Sequence, residues 1–236
     1  EYGTPNIDIE EGWLDIKYNG RKDRFLYPRQ GSSLYHMSKI MDTDLLWFNV
    51  RTHNLQVTDL MQGPVYGIHT SDYSKENNLD TSFAYDDIFG TVLNRFIVQA
   101  IANIPLTVYG SGSQIRGYIN LKDTLQCINL AIQNPPGQNK LSIYNQFTEQ
   151  FSVNELSKLV KKSLNKIGII VKIKHLKNPR VESEEHYYNA DNTGMKKLGL
   201  KPSLLTDEVI AEIAEYVIKH KNRINKNIIQ PKISWK

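Results

Sequence analysis

The sequence predicts an α/β fold, and three observations carry that expectation. Helical and extended patterns alternate along the 236 residues, which is the signature of a sheet flanked by helices. Several of the helical stretches open on residues suited to cap them, notably Ser33, Ser152 and Thr206. The composition, 40% hydrophobic and 23% charged, is that of a chain able to bury a core.

Taken in order, residues 1–32 are rich in Gly, Pro, Asn and charge, with a short extended piece from Trp13 to Tyr18, and read as a surface hairpin or loop. Ser32 or Ser33 caps a helix over 33–54 whose apolar residues Leu34, Met37, Met41, Leu45 and Phe48 recur at three and four. Gln56 to Met61 reads as a buried strand running into Gly63-Pro64. The polar stretch 67–87 is long for a structureless connection and suggests a lid or a domain junction. A helix over 88–103 follows, with Phe89, Val92, Leu93, Phe96 and Ala100 on one face. Leu106 to Tyr109 is then a strand, Gly110 to Gly117 a glycine-punctuated turn, and Tyr118 to Asn120 a further extended piece. Asp123 is the expected cap of a helix over 122–134 that stops at Pro135-Pro136-Gly137, and 141–145 is the next strand. Ser152-Val153-Asn154-Glu155 has the form of a capping box for a helix ending at Gly168, with a strand over 169–173 beyond it. Thr206, Asp207 and Glu208 open a last long helix with Lys219 and Lys221 at its far end, charges placed as the helix dipole favours.

Charge and cysteine narrow the function. Twenty-nine Lys and Arg against twenty-five Asp and Glu leave a net charge of +4, scattered along the chain rather than gathered in a stripe. That pattern suits a phosphate-bearing small molecule better than nucleic acid. No apolar run approaches the roughly 20 residues needed to span a bilayer, so no membrane insertion is expected. The start of the chain does not look like a signal peptide. The lone Cys127, beside Leu125, Ile128 and Leu130, forbids an intrachain disulfide and reads as a buried structural thiol. The histidines and carboxylates show no metal-ligand spacing, and no metal site is expected.

Three groups of residues can carry chemistry. Tyr35 and Lys39 stand four apart on a predicted helix, so phenol and ammonium share a face one turn apart. A neighbouring cation favours phenolate and draws tyrosine from its usual pKa of about 10 toward use as a general base. Tyr-x-x-x-Lys is also expected about once by chance in a chain of this size. Tyr18 and Lys22 form a second match around an Asn-Gly turn, so a surface role for Tyr35 stays open from spacing alone. Gly110 to Gly117 can cradle a phosphate, with Arg116 adding a fork of donors, or can be a plain hairpin turn. Asn178 to Tyr188 gathers an arginine, several acids, a histidine and two tyrosines, as a site or a solvated loop would.

Five blocks taken together resemble a known family: Glu1 to Gly12, Tyr35-His36-Met37-Ser38-Lys39, Gln62-Gly63-Pro64-Val65-Tyr66-Gly67, Gln146 to Leu156, and Asn178 to Asn189. In order and content they are similar to the UDP-sulfoquinovose synthase family, extended short-chain dehydrogenase/reductases of the NAD-dependent epimerase/dehydratase group. The resemblance runs from the first residue to Trp235. It implies the C-terminal portion of a Rossmann fold with a smaller α+β substrate-binding domain. Residues 1–66 with 119–145 would be the remaining Rossmann part, and 67–118 with 146–236 the sugar-nucleotide domain. The implied enzyme converts UDP-glucose and sulfite to UDP-sulfoquinovose through NAD-dependent transient oxidation at C4, loss of water and addition of sulfite at C6. A UDP-sugar 4-epimerase or 4,6-dehydratase, or a non-catalytic UDP-sugar-binding fragment, are the rival readings.

On the same resemblance Tyr35 is the base at the sugar 4-hydroxyl, and Lys39 holds the nicotinamide ribose and keeps the Tyr35 pKa low. His36 assists water loss or guides sulfite, and Val65 meets the nicotinamide carboxamide. Gln62 contacts the hexose, and Asn94, Arg95, Thr107, Val108, Tyr109 and Gln114 serve the UDP moiety. Arg116 and Arg180 are the implied pyrophosphate partners, with Val181 and Glu182 closing on the nucleotide. The family's glycine-rich NAD fingerprint and its catalytic threonine are expected upstream of Glu1, and Thr4 does not stand at the threonine's position. The chain is therefore expected to be a truncated gene product or a partial record, unable as it stands to hold NAD, and the exposed edge of its incomplete sheet is an association hazard. A homodimer and a sulfite-donating protein partner are further implications, as is a cytoplasmic location, or a plastid one if a transit peptide precedes Glu1.

Overall fold

The computed structural model describes residues 13–26, 31, 33–70, 82–86, 89–178 and 190–229. The first twelve residues, most of the expected lid, and Arg180, Val181 and Glu182 lie outside the described residues. The chain divides into two compact units, Glu1–Asp59 with Pro135–Ser142 and Leu60–Asn134 with Ile143–Lys236.

In the first unit, β1 (Trp13–Tyr18) and β2 (Arg21–Leu26) form an antiparallel hairpin in which Tyr18 faces Arg21. Its two-residue turn is Asn19-Gly20, both at positive φ, the geometry that matches the twist of the flanking strands. Helix α1 (Leu34–His53) begins where Ser33 accepts a hydrogen bond from the His36 amide, and it ends at Asn54 in the left-handed region. The apolar stripe of α1 is not its buried side. Leu34 is 84% exposed and Met41 65%, whereas the buried residues are Thr43 and Val50. Thr43 Oγ1 donates to Asp59 Oδ2 at 2.8 Å and so draws the polar side of the helix inward. Strand β3 (Gln56–Gln62) pairs with β7 (Lys140–Gln146), and the division between the units falls inside both.

The second unit carries the main core. Strand β4 (Val65–Tyr66) runs parallel to β6 (Ile115–Asn120), which pairs antiparallel with β8 (Glu149–Ser152). Strand β5 (Leu106–Tyr109) runs parallel to β9 (Ile173–Leu176). Helices α2 (Val92–Ile101), α4 (Val153–Lys166) and α6 (Asp207–Lys219) close on β5. Leu93, Phe96, Leu106, Leu156, Val160, Ile210 and Ile213 are fully buried among them. Each such side chain contributes about 1.5–3 kcal/mol relative to exposure. A smaller cluster joins Ile119, Cys127, Met195 and Leu200 through α3 (Leu121–Gln133) and α5 (Thr193–Lys197).

Several expectations shift. The second helix begins at Val92 with Thr91 as its cap, because Phe89 and Gly90 belong to a turn closed on Asp86, and Phe89 is exposed rather than in the core. Helix α3 is capped by Asn120, and Asp123 instead lies buried in its first turn, accepting from the Ser203 amide at 2.8 Å. Strand β6 already starts at Ile115, inside the expected turn. The strand foreseen at 169–173 lies at Ile173–Leu176, because the Ile169 amide still bonds to Leu164 and the Val171 amide to Asn165 Oδ1. Cys127 is buried, but among Ile119, Met195 and Leu200, since Leu125 and Ile128 face outward. Burial pushes its thiol pKa up. Among the described residues no helix is long and apolar enough to cross a membrane, and no cluster of three metal-ligating side chains occurs.

Candidate functional site

In the first unit the candidate residues sit on the opening turns of α1. The cap at Ser33 fixes where the helix begins and so places Tyr35, His36 and Lys39 on its first two turns. The Tyr35 side chain is exposed, and Lys39 Nζ lies 5.8 Å from the centre of its ring. The His36 ring is 6.0 Å from that of Tyr35 and inclined by 57°. Lys39 also donates to Asp42 Oδ2 at 3.0 Å, a partner the spacing argument did not consider. That hydrogen bond, with the charge of Asp42, holds the lysine pKa above its ordinary value. The ammonium and the phenol thus stand one turn apart on the same helix.

The second unit holds the other candidates. Gln62 ends β3 exposed, and Val65 opens β4 half-buried. Between them Gly63 passes so close to β6 that a Cβ would lie 2.3 Å from the Gly117 carbonyl oxygen, so only glycine allows that approach.

Arg95, near the start of α2, reaches β5, and its neighbour Asn94 meets the segment before the helix. Arg95 stacks its guanidinium on the Tyr109 ring, 4.4 Å from the centroid, and donates from Nη2 to the Thr107 carbonyl at 3.1 Å. Thr107 and Val108 are buried, and Asn94 donates to the Ala84 carbonyl at 3.0 Å. Among the described residues, buried polar atoms without a hydrogen-bond partner include Asn94 Oδ1, Tyr109 OH and Gln114 Oε1. Orphaned polar groups are costly in a folded interior, and water or a polar ligand can supply the missing bonds. Arg116 donates to the Ile115 carbonyl at 2.9 Å. Burial pushes the Tyr118 phenol up to about 12, and the charges of Arg116 and Arg95 act against that rise. Two guanidinium groups thus act on one ring in this part of the unit.

The glycine-rich turn is not an open phosphate cradle. Its Gly110 amide donates to Leu176, its Ser113 amide to Ser111 Oγ, and its carbonyls at Ser111, Gly112 and Gln114 accept from Asn154 and Val153 at the head of α4. The turn serves to dock β5 and β6 onto α4.

The structure thus brings Arg95, Thr107 and Tyr109 into direct contact, while Asn94 bonds to the Ala84 carbonyl and Arg116 to the Ile115 carbonyl. Two features escaped the sequence reading. Gln99, fully buried on α2, is bonded at both ends of its amide to Thr107. Its only sequence signal is a lone amide in the apolar run from Phe96 to Ile101. Tyr66 donates to Glu149 Oε2 at 2.6 Å and lies 3.2 Å from the Ser203 carbonyl, and burial and that carboxylate push its phenol far up.

No family model matches the chain. A chloroplastic UDP-sulfoquinovose synthase from Spinacia oleracea is 48% identical over the whole chain, which covers 49% of that protein. A UDP-sulfoquinovose synthase from Sulfolobus acidocaldarius is 42% identical, again over the whole chain and 61% of the relative. Among solved structures, a UDP-glucose 4-epimerase from Bifidobacterium longum, in complex with NAD+ and UDP, superposes with a TM-score of 0.62 at 19% identity, covering 83% of this chain and 58% of the other. The chain shares the α/β fold of part of that epimerase. In sequence it is similar, over all its residues, to UDP-sulfoquinovose synthases, and it spans about half to three fifths of the length of the curated relatives it matches.

Proposed function

We propose that the chain is the part of a UDP-sulfoquinovose synthase that bears the tyrosine base and the sugar-nucleotide lobe. The net reaction would be UDP-glucose plus bisulfite giving UDP-sulfoquinovose plus water. The observation that carries this reading is the 48% and 42% identity across every residue to two synthases of that name. On this reading 1–66 with 119–145 belong to the parent Rossmann domain and 67–118 with 146–236 to the substrate domain.

Tyr35 takes the proton of the sugar 4-hydroxyl, with the Lys39 ammonium stabilising the phenolate one turn away. A ketone at C4 acidifies the C5 proton, so hydroxide can leave from C6 as water and sulfite can add to the resulting alkene through sulfur. Return of a proton from Tyr35 to O4 closes the cycle and leaves the enzyme unchanged. His36, beside the base, assists the loss of water or guides sulfite. NAD supplies the hydride acceptor and donor when bound. The exposed phenol and ammonium of Tyr35 and Lys39 suit the hydroxyls of its nicotinamide ribose, and Val65 would meet the carboxamide. The dinucleotide's remaining contacts would come from sequence outside these residues.

In the lobe, Asn94, Arg95, Thr107 to Tyr109 and Gln114 would take the UDP moiety. The orphaned carbonyl oxygens of Asn94 and Gln114 can accept from base N–H or sugar hydroxyl groups, and the guanidinium groups suit a diphosphate. Arg116, with Arg180, Val181 and Glu182, would complete the nucleotide contacts, and Gln62 would meet the hexose. A homodimer, a sulfite-supplying protein partner and a cytoplasmic or plastid location belong to the same reading.

The test is mass spectrometry of UDP-glucose incubated with NAD and sulfite, on this chain and on the gene product with any upstream sequence. We expect the sulfonated sugar nucleotide from the longer product. An epimer or a 4-keto sugar there, with no sulfonated product, would replace this reading by the epimerase or dehydratase one.

A further inference from the structure

Strand β5 has one open side. Among the described residues it pairs with β9 alone, and the Leu106 and Gly110 amides face that partner. Alternation along a strand turns the Thr107 amide and carbonyl the other way, where no strand supplies a donor or an acceptor. Two side chains of α2 take that role. Gln99 Oε1 accepts from the Thr107 amide at 3.0 Å, and Arg95 Nη2 donates to the Thr107 carbonyl at 3.1 Å. Arg95 and Gln99 are four apart, so one helix face presents acceptor and donor together, as a neighbouring strand would. Gln99 adds a third bond from Nε2 to Thr107 Oγ1 at 2.8 Å.

The Gln99 amide is fully buried and wholly used by this one residue, which fixes both its rotamer and the distance between α2 and β5. That distance decides where the Arg95 guanidinium lies over the Tyr109 ring and how Asn94 Oδ1 and Tyr109 OH are offered. We infer that Gln99 is a positioning residue for the nucleotide: it touches no ligand, and it holds Arg95, Thr107 and Tyr109 in binding geometry before the ligand arrives. The inference rests on the reading that this lobe takes UDP. It concerns preorganisation, which raises affinity by removing the cost of ordering the site.

The experiment measures UDP affinity by titration calorimetry on the protein as encoded, well below its melting temperature, with melting recorded in parallel. Gln99→Met keeps length and burial but removes both hydrogen bonds of the amide, and it should weaken UDP by about tenfold or more. Val98→Ala, at the neighbouring buried position, is the control: it should lower the melting temperature while leaving UDP affinity unchanged. If Gln99→Met does not fold, Gln99→Asn carries the same expectation, since its amide falls a methylene short of Thr107. Wild-type affinity in a folded Gln99 variant would overturn the inference and leave the nucleotide reading standing. Failure of the wild-type protein to take up UDP would remove both.

Discussion

Lys39 is shared between two neighbours on its own helix, the Tyr35 ring on one side and the Asp42 carboxylate on the other. Asp42 raises the lysine pKa through its hydrogen bond and charge, so any proposal for Tyr35 and Lys39 has to include this third residue. Replacing Tyr35 by Phe removes only the phenolic oxygen from an exposed position. Turnover of UDP-glucose should therefore fall by about a thousandfold or more, within reach of the factor that general bases supply. Binding of UDP-glucose, followed by calorimetry, should stay near wild type, and retained turnover would take the base role from Tyr35. The four-residue spacing was legible in the sequence because it is local. Asp42 was equally local but was passed over, since an acid three residues on reads as an ordinary helix-surface charge. Gln99 could be seen as an odd amide in an apolar run, but its partner eight residues later, on another element, could not.

At the scale of elements, what was legible is what the backbone settles within a few residues. Ser33, Ser152 with Glu155, and Thr206 each cap the helix they were expected to cap. In the capping box the Glu155 carboxylate accepts from the Ser152 amide at 2.7 Å, and this bond holds its pKa below the usual range. Strands β4 and β8 were not foreseen, because two- and four-residue strands exist only through their pairing with β6. The exposed stripe of α1 likewise shows that periodicity reveals an apolar face without saying what covers it.

Helices α4 and α6 are joined at their ends by Asp207, which accepts from Lys166 and from Ser163. Lys166 and then Ser163 hold the Asp207 carboxyl below its ordinary pKa. The unfolded chain then takes up the proton more readily than the folded one. The stabilisation is complete above the ordinary carboxylate range, near pH 4, and is lost as pH falls below it. Asp207→Asn should melt a few degrees lower than wild type at neutral pH, and the gap should close as the pH is lowered through the carboxylate range in paired thermal scans. A gap independent of pH would mean that packing, not charge, joins the two helices.

At the scale of the whole molecule, the sequence pointed to an α/β chain but not to the grouping of Pro135–Ser142 with residues before Asp59, because membership of a unit depends on contacts distant along the chain. The same holds for the approach to α6. Residues 201–205 have no regular structure, yet side chains from distant elements seize their backbone. Gln126 accepts from the Lys201 amide and donates to its carbonyl, Asp123 accepts from the Ser203 amide, and Glu149 accepts from the Leu205 amide. A protease must draw out an extended stretch of substrate before it can cut, and here that means releasing all three grips at once. In limited digestion the exposed turn at Asn134–Asn139 should be nicked well before 201–205, as peptide mapping of the first fragments would show. An irregular segment in this chain is thus not a weak one, and fragments that retain α6 should survive digestion intact.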